Sequence, residues 1–154
     1  MKTPPRPVVR NAARVLLLDP AGRVLLVRGH DPEAPAAGGW WFTPGGGLEP
    51  GEDARTAAVR EAFEETGHRV VDLTGPVARR SSVFPFEGRL IEQRELYFVA
   101  HVPVFEPTSD GWTELERRAL SGARWWTLDE LRGTAETVFP ETLADLVAEA
   151  LAAR

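Results

Sequence analysis

Gly46-Gly47-Leu48-Glu49-Pro50-Gly51-Glu52-Asp53-Ala54-Arg55-Thr56-Ala57-Ala58-Val59-Arg60-Glu61-Ala62-Phe63-Glu64-Glu65-Thr66-Gly67 is the stretch on which the fold turns. From Glu52 to Thr66 it holds no glycine or proline and is dense in alanine, glutamate and arginine, which predicts a helix. Gly67 stands where a left-handed residue closes one, and Pro44-Gly45-Gly46-Gly47 ahead of it forms a loop whose backbone can come close to a ligand. At about 100° per residue, Glu61, Glu64 and Glu65 fall within a sector of roughly 100°, with Val59, Ala62, Phe63 and Thr66 on the opposite side. Like charges three and four residues apart each cost a few tenths of a kcal/mol, and glutamates at a helix C-terminus oppose its dipole. A solvated acidic face is the commonest outcome of such a run. A divalent cation is the direct compensation, since hard Mg²⁺ takes oxygen ligands and bridges carboxylates to substrate phosphates. Arg60 lies eight residues after Glu52 and is placed to pair with it across the junction of loop and helix.

With Gly46, five residues, Glu52, seven residues, and then Arg60-Glu61-Ala62-Phe63-Glu64-Glu65-Thr66-Gly67, the segment resembles the box of the Nudix hydrolases. Seven fixed residue types recur at fixed spacing over 22 positions. The order of elements around it is similar to the family's fold over most of the chain, including Trp125-Trp126-Thr127-Leu128-Asp129-Glu130-Leu131. The resemblance implies an α/β (α+β) class, a Nudix-like α/β/α sandwich with a mixed β-sheet. It further implies that Glu61, Glu64 and Glu65 ligate Mg²⁺ or Mn²⁺, that Gly46 adds a backbone carbonyl, and that Glu52 with Arg60 fixes the helix against its loop. His68 departs from the family's usual aliphatic residue and bears on packing after the helix.

Outward from this stretch, Ala12 to Leu18 and Arg23 to Arg28 are rich in Val and Leu around the turn sequence Asp19-Pro20-Ala21-Gly22, which predicts a hairpin. Residues 1–9, with three prolines, read as an extended arm, and residues 10–154 as a single domain. Further strands are expected at Arg69 to Leu73, around Val77 to Val83, at Leu96 to Val104 and at Ala123 to Thr127. Glu106 to Gly122 reads as a long loop or short helix. Asp129 to Arg132 reads as a short helix, and Glu141 to Ala153 as a terminal helix with Leu143, Leu146, Val147, Ala150 and Leu151 spaced for one face. Strands, a helix, strands and helices in that order predict a layered mixed sheet.

A chain of 154 residues should bury about 68–70% of its unfolded surface, enough for a core without staples. Its formal net charge of -5 argues against binding a nucleic-acid polymer by counterion release. Three of those five charges trace to Glu52–Glu65, where Glu52, Asp53, Glu61, Glu64 and Glu65 outnumber Arg55 and Arg60. A phosphate-rich ligand therefore needs a cation to accompany it. Cysteine is absent, which excludes disulfides, thiolate metal sites and a cysteine nucleophile. Lys2 is the sole lysine, so neither a P-loop lysine nor a Schiff-base lysine is available within this sequence. No apolar run reaches the roughly 18 residues of a membrane helix, and the N-terminal prolines do not suit a signal peptide, so a cytoplasmic protein without a membrane partner is expected.

What the resemblance implies about function is metal-dependent hydrolysis of a diphosphate linkage in a nucleoside diphosphate derivative or nucleoside triphosphate. The partner is then a small nucleotide-type substrate, with a homodimer as the oligomeric option. A general base takes the water's proton, and the candidates are carboxylates, Glu64 or Glu65 in the box or Glu114 or Glu116 in the later loop; the box is preferred. For the substrate, Trp40, Trp41, Phe84 and Phe86 are candidates to stack on a base. Arg79, Arg80 and Arg94 are candidates to hold phosphates, and Glu116 is a further candidate contact. ADP-ribose, sugar-nucleotide and oxidised-nucleotide substrates stay open. The rival reading of a dinucleotide-binding loop fails because the third glycine of G-x-G-x-x-G would fall at Pro50. A Nudix-like domain that binds or regulates without hydrolysing is the alternative of a different class, opposed by the complete set of box glutamates.

Overall fold

A computed structural model describes residues 6–34, 36, 38–86 and 88–153. Among the described residues the elements run β1 (Val8–Leu18), β2 (Val24–His30), β3 (Gly39–Phe42), β4 (Gly45–Gly47), α1 (Ala54–Thr66), β5 (Thr74–Phe86), β6 (Arg89–His101), α2 (Glu114–Ala119), β7 (Leu120–Trp126), α3 (Leu128–Gly133), β8 (Thr137–Phe139) and α4 (Leu143–Ala152). The strands order as β5-β6-β1-β2-β3-β8, with β4 paired to β1 and β7 to β2. β1 runs parallel to β6 and antiparallel to β4, and β3 runs parallel to β8, so the sheet is mixed as expected.

Period-two alternation along β1 divides the core. Ala13, Val15 and Leu17 face α1 and join Ala57, Ala58, Ala62, Phe98 and Ala100. Leu16 and Leu18 face the other way and join Trp41, Tyr97, Val99, Trp126, Leu131 of α3, and Leu143 and Val147 of α4. Each face of the sheet is thereby covered by helix, the α/β/α sandwich that the sequence implied. The hairpin between β1 and β2 closes on Asp19, whose carboxylate accepts from the backbone N–H of Ala21 (3.0 Å) and Arg23 (2.8 Å).

Several expectations are corrected. Strand begins at Val8, which pairs with Ile91, so the arm expected over residues 1–9 ends before Val8; residues 1–5 lie outside the described residues. Residues 69–73 form no strand. Val70 drops into the core while Val71 is 90% exposed, and the Leu73 and Gly75 carbonyls accept from the Arg55 guanidinium instead of a neighbouring strand. β3, β4 and β8 are too short or too rich in glycine to carry a strand pattern. Helix α1 starts at Ala54, two residues later than Glu52, because the Asp53 carboxylate caps it by accepting from the Thr56 N–H at 2.7 Å. Gly67 closes it at φ 82°.

The faces of α1 are also rotated from the helical-wheel expectation. Glu65 is buried with Ala58, Ala62 and Thr66, whereas Phe63 is 39% exposed beneath the Arg69 guanidinium. The carboxylates line the edge of the packed face, over β4, where alanines and glycines let helix and strand approach. After the helix, His68 stacks on Phe105 with ring centroids 4.4 Å apart, and Phe105 meets Trp125 edge-on at 5.3 Å. A flat imidazole thus fills the aliphatic position, and its burial lowers the His68 pKa.

Candidate active site

Three carboxylates from two helices converge on one acidic centre. Glu61 and Glu65 come from α1 and Glu116 from α2, and one oxygen from each lies within 4.8 Å of the others. Burial raises the Glu61 pKa and raises that of Glu65 well above the usual carboxylate range, against the opposing pull of Arg60 on Glu61 and Arg14 on Glu65. A buried and a half-buried carboxylate with raised pKa, joined by a third, form an oxygen donor set suited to a hard divalent cation. Gly46 is part of the same centre: a Cβ there would stand 2.7 Å from Glu61 Oε1, so glycine lets the β4 backbone approach the carboxylate without displacing it.

Local structure accounts for each placement. The Gly45 N–H donates to Glu65 Oε2 at 3.2 Å. Arg60 forms a two-pronged pair with Glu52, Nε to Oε2 and Nη2 to Oε1, each at 2.8 Å. That hydrogen bonding, helped by the Glu49 N–H, holds the Glu52 carboxyl down at about 2. The remaining Arg60 donors reach Glu61 Oε1 (3.0 Å), Glu64 Oε2 (3.2 Å) and the Gly47 carbonyl (3.2 Å). One guanidinium therefore ties the loop before the helix to two of its carboxylates. Glu64 stands on this Arg60 side, outside the group formed by Glu61, Glu65 and Glu116.

Glu116 arrives through the long polar segment. The Thr108 N–H donates to the Thr66 carbonyl and the Trp112 indole to the Glu65 carbonyl at 2.8 Å, so the segment caps the free carbonyls at the end of α1. Thr113 and Glu116 then form a capping box that starts α2, with Glu116 Oε1 accepting from the Thr113 N–H at 2.9 Å. The pattern Thr113-Glu114-Leu115-Glu116 was the sequence signal for this turn. It orients Glu116, a candidate substrate contact from sequence, into the acidic centre instead.

A cavity of about 620 Å³ opens on the Arg14 side of the Thr43–Gly45 backbone, lined by Arg14, Trp40, Phe42, Thr43, Phe84 and Phe139 among others. Phe84 is thus brought to a site where it can meet a ligand. Trp41 is not: it is 9% exposed, lies edge-on to Trp126 and donates to Glu136 at 3.2 Å, because alternation along β3 sends Trp41 inward and Trp40 to the cavity. Arg79 and Arg94 line a second cavity, of about 640 Å³, on the other face of the β5–β6 hairpin, and Arg94 pairs with Glu92 at 3.2 Å. Arg80 and Glu95 line both cavities.

Sequence reasoning missed Arg14 and Glu95. Arg14 Nε donates to Glu95 Oε2 at 2.7 Å, and Arg80 Nη1 to Glu95 Oε1 at 3.1 Å. Burial alone would lower the Arg14 pKa, but the carboxylates of Glu95 and Glu65 raise it. The available signal for Arg14 was a charged residue within the otherwise apolar run Ala12 to Leu18.

The family profile described as NUDIX domain matches residues 8–148. Over 58 residues the chain is 53% identical to an RNA pyrophosphohydrolase of Dinoroseobacter shibae, covering 38% of this chain and 34% of that one. It is 43% identical over 58 residues to a Bacillus subtilis protein provisionally named 8-oxo-dGTP diphosphatase, covering 38% and 39%. The matched stretch spans well under half the length of these curated relatives. Among solved structures, a MutT NUDIX hydrolase from Burkholderia pseudomallei superposes with a TM-score of 0.68 at 22% identity, covering 89% of this chain and 95% of that one. A C. elegans Ap4A hydrolase superposes at 0.63 with 20% identity, covering 94% and 99%. These structural likenesses speak to the fold. No helix among the described residues is long and apolar enough to cross a membrane.

Proposed function

The chain belongs to the Nudix hydrolase family, and from that premise we propose that it hydrolyses the diphosphate linkage of a nucleotide with Mg²⁺ or Mn²⁺ held at Glu61, Glu65 and Glu116. The convergence of these three carboxylates within 4.8 Å carries the proposal. The Gly46 carbonyl is the backbone ligand in this reading. When bound, the cation supplies charge neutralisation for the diphosphate oxygens and acidifies a water.

The protein's own residues do the rest. Burial keeps Glu65 and Glu61 in place beneath the β4 backbone, and Arg60 with Glu52 keeps α1 in register with the loop that presents Gly46. Glu64, half exposed and held by Arg60, accepts the proton of the attacking water as general base. The water oxygen bonds to phosphorus, the bridging P–O bond breaks, and the released phosphate or nucleotide leaves as its anion. Trp40, Phe42 and Phe84 offer stacking faces to a single base in the adjoining cavity. That volume and the net charge of -5 favour a free nucleotide. The 5′ end of an RNA is the second reading, favoured by the name of the Dinoroseobacter shibae relative. A cytoplasmic setting is part of the proposal, supported by the cysteine-free sequence.

The test is a panel of nucleoside triphosphates, ADP-ribose, sugar nucleotides, dinucleoside polyphosphates, NADH and a 5′-triphosphorylated oligoribonucleotide, assayed with Mg²⁺ and with Mn²⁺. Hydrolysis at a diphosphate, lost by orders of magnitude in Glu65→Gln, is expected. If no compound were hydrolysed while one raised the melting temperature, the protein would be a binding domain instead.

A further inference from the structure

Arg14 and Glu95 sit on the face of the sheet opposite α1, one strand apart on β1 and β6, yet Arg14 reaches the acidic centre through backbone. Its Nη1 donates to the carbonyls of Thr43 (3.2 Å) and Gly45 (3.1 Å). The same Gly45 turns its N–H onto Glu65 Oε2 and leads directly into Gly46. Glu95 is 4% exposed and has both oxygens engaged, one by Arg14 and the other by Arg80. The contact is tight: a Cβ at Gly45 would run into the Ala13 carbonyl and would lie 2.7 Å from Arg14 Cδ. Gly45, at φ 153°, is thus moulded onto the arginine stem.

We propose that Arg14 and Glu95 are positioning residues for the metal-binding centre: Glu95 aims the Arg14 guanidinium, which clamps the Thr43–Gly45 backbone so that Gly45 orients the Glu65 carboxylate and Gly46 faces Glu61. The proposal rests on the metal-site reading above. The fork matters as much as the charge. One planar guanidinium serves Glu95 and two carbonyls at once, which a lysine ammonium on a flexible stem does not reproduce. Partners one layer behind metal ligands typically contribute about 10- to 100-fold in metal affinity.

The experiment measures Mn²⁺ binding to substrate-free protein by the electron paramagnetic resonance signal of free Mn²⁺, for wild type, Arg14→Lys, Glu95→Gln and Glu65→Gln, with circular dichroism and thermal melting alongside. Arg14→Lys keeps the charge and Glu95→Gln keeps the shape. Each is expected to fold and to weaken Mn²⁺ binding about 10- to 100-fold, with turnover recovered at high Mn²⁺. Folded variants with wild-type Mn²⁺ affinity overturn the proposal, even with lowered melting temperatures, since that is the mark of a purely structural pair. Failure of both to fold overturns it equally. If wild type showed no Mn²⁺ binding that Glu65→Gln removes, it is the metal-site reading that falls.

Discussion

Replacing Gly46 by alanine tests the site with a single methyl group. The backbone at Gly46 needs no left-handed conformation, so alanine is admissible there and the effect is one of space. The added Cβ would stand 2.7 Å from Glu61 Oε1 and 2.8 Å from its Cδ, where ordinary contact begins at roughly 3.4 Å. The carboxylate must therefore retreat by about 0.7 Å, and as the end of a flexible side chain it can do so without unfolding the protein. Metal sites tolerate only about 0.2 Å of error in ligand distance. A retreat several times larger should remove Glu61 from the ligand set and lower Mn²⁺ affinity about 10- to 100-fold, equivalent to about 1.4–2.7 kcal/mol. Gly47→Ala is the matched control, because its Cβ meets nothing closer than 3.9 Å. Isothermal titration of Mn²⁺ into each variant, with turnover measured across metal concentrations, reads the difference. Equal Mn²⁺ affinities for the two alanine variants would refute the reasoning, since only at Gly46 does the added methyl press on Glu61.

Glu65→Gln should also reveal its effect in metal-free stability. A carboxyl whose pKa is raised by folding stabilises the protein below its unfolded value of 4.5 and loses that contribution as pH rises through the folded value. Urea unfolding in chelator should thus show Glu65→Gln gaining on wild type as pH rises above 4.5, and a gap that is constant or closes speaks against a burdened carboxylate. Trp40 and Trp41 should separate cleanly. Trp40→Ala is expected to raise KM for the nucleotide about tenfold through lost stacking, of order 1–3 kcal/mol, with little change in melting temperature. Trp41→Ala should instead cost about 3–5 kcal/mol of stability as a core truncation, and the reverse pattern would exchange their assignments.

Much of the acidic centre was legible because it is local. Spacing alone put Glu61, Glu64 and Glu65 on consecutive turns of one helix and Arg60 within reach of Glu52, and the composition of 52–66 needed no tertiary support to read as helix. The error in the helical wheel came from treating glutamate as necessarily exposed: Glu65 is buried because it lies over glycines that leave room for it. Strands β3, β4 and β8 were not legible, being three or four residues long and held by pairing with distant partners. Neighbouring tryptophans likewise look alike until β3 pairs with β2 and sends one inward and one to the cavity.

By itself, then, the sequence determined the helix, the glycine that closes it, the carboxylates it carries and the family to which they belong, since all of these depend on residues a few positions apart. Tertiary structure alone decided which carboxylates meet. Glu116 joins Glu61 and Glu65 because the segment before it caps the end of α1, and Glu65 is buried because of the direction in which α1 packs. It also decided that Arg14 and Glu95, 81 residues apart, stand behind the site. Such contacts depend on which strands become neighbours, and strand neighbours are selected by the burial of the whole core, which no short stretch of sequence encodes.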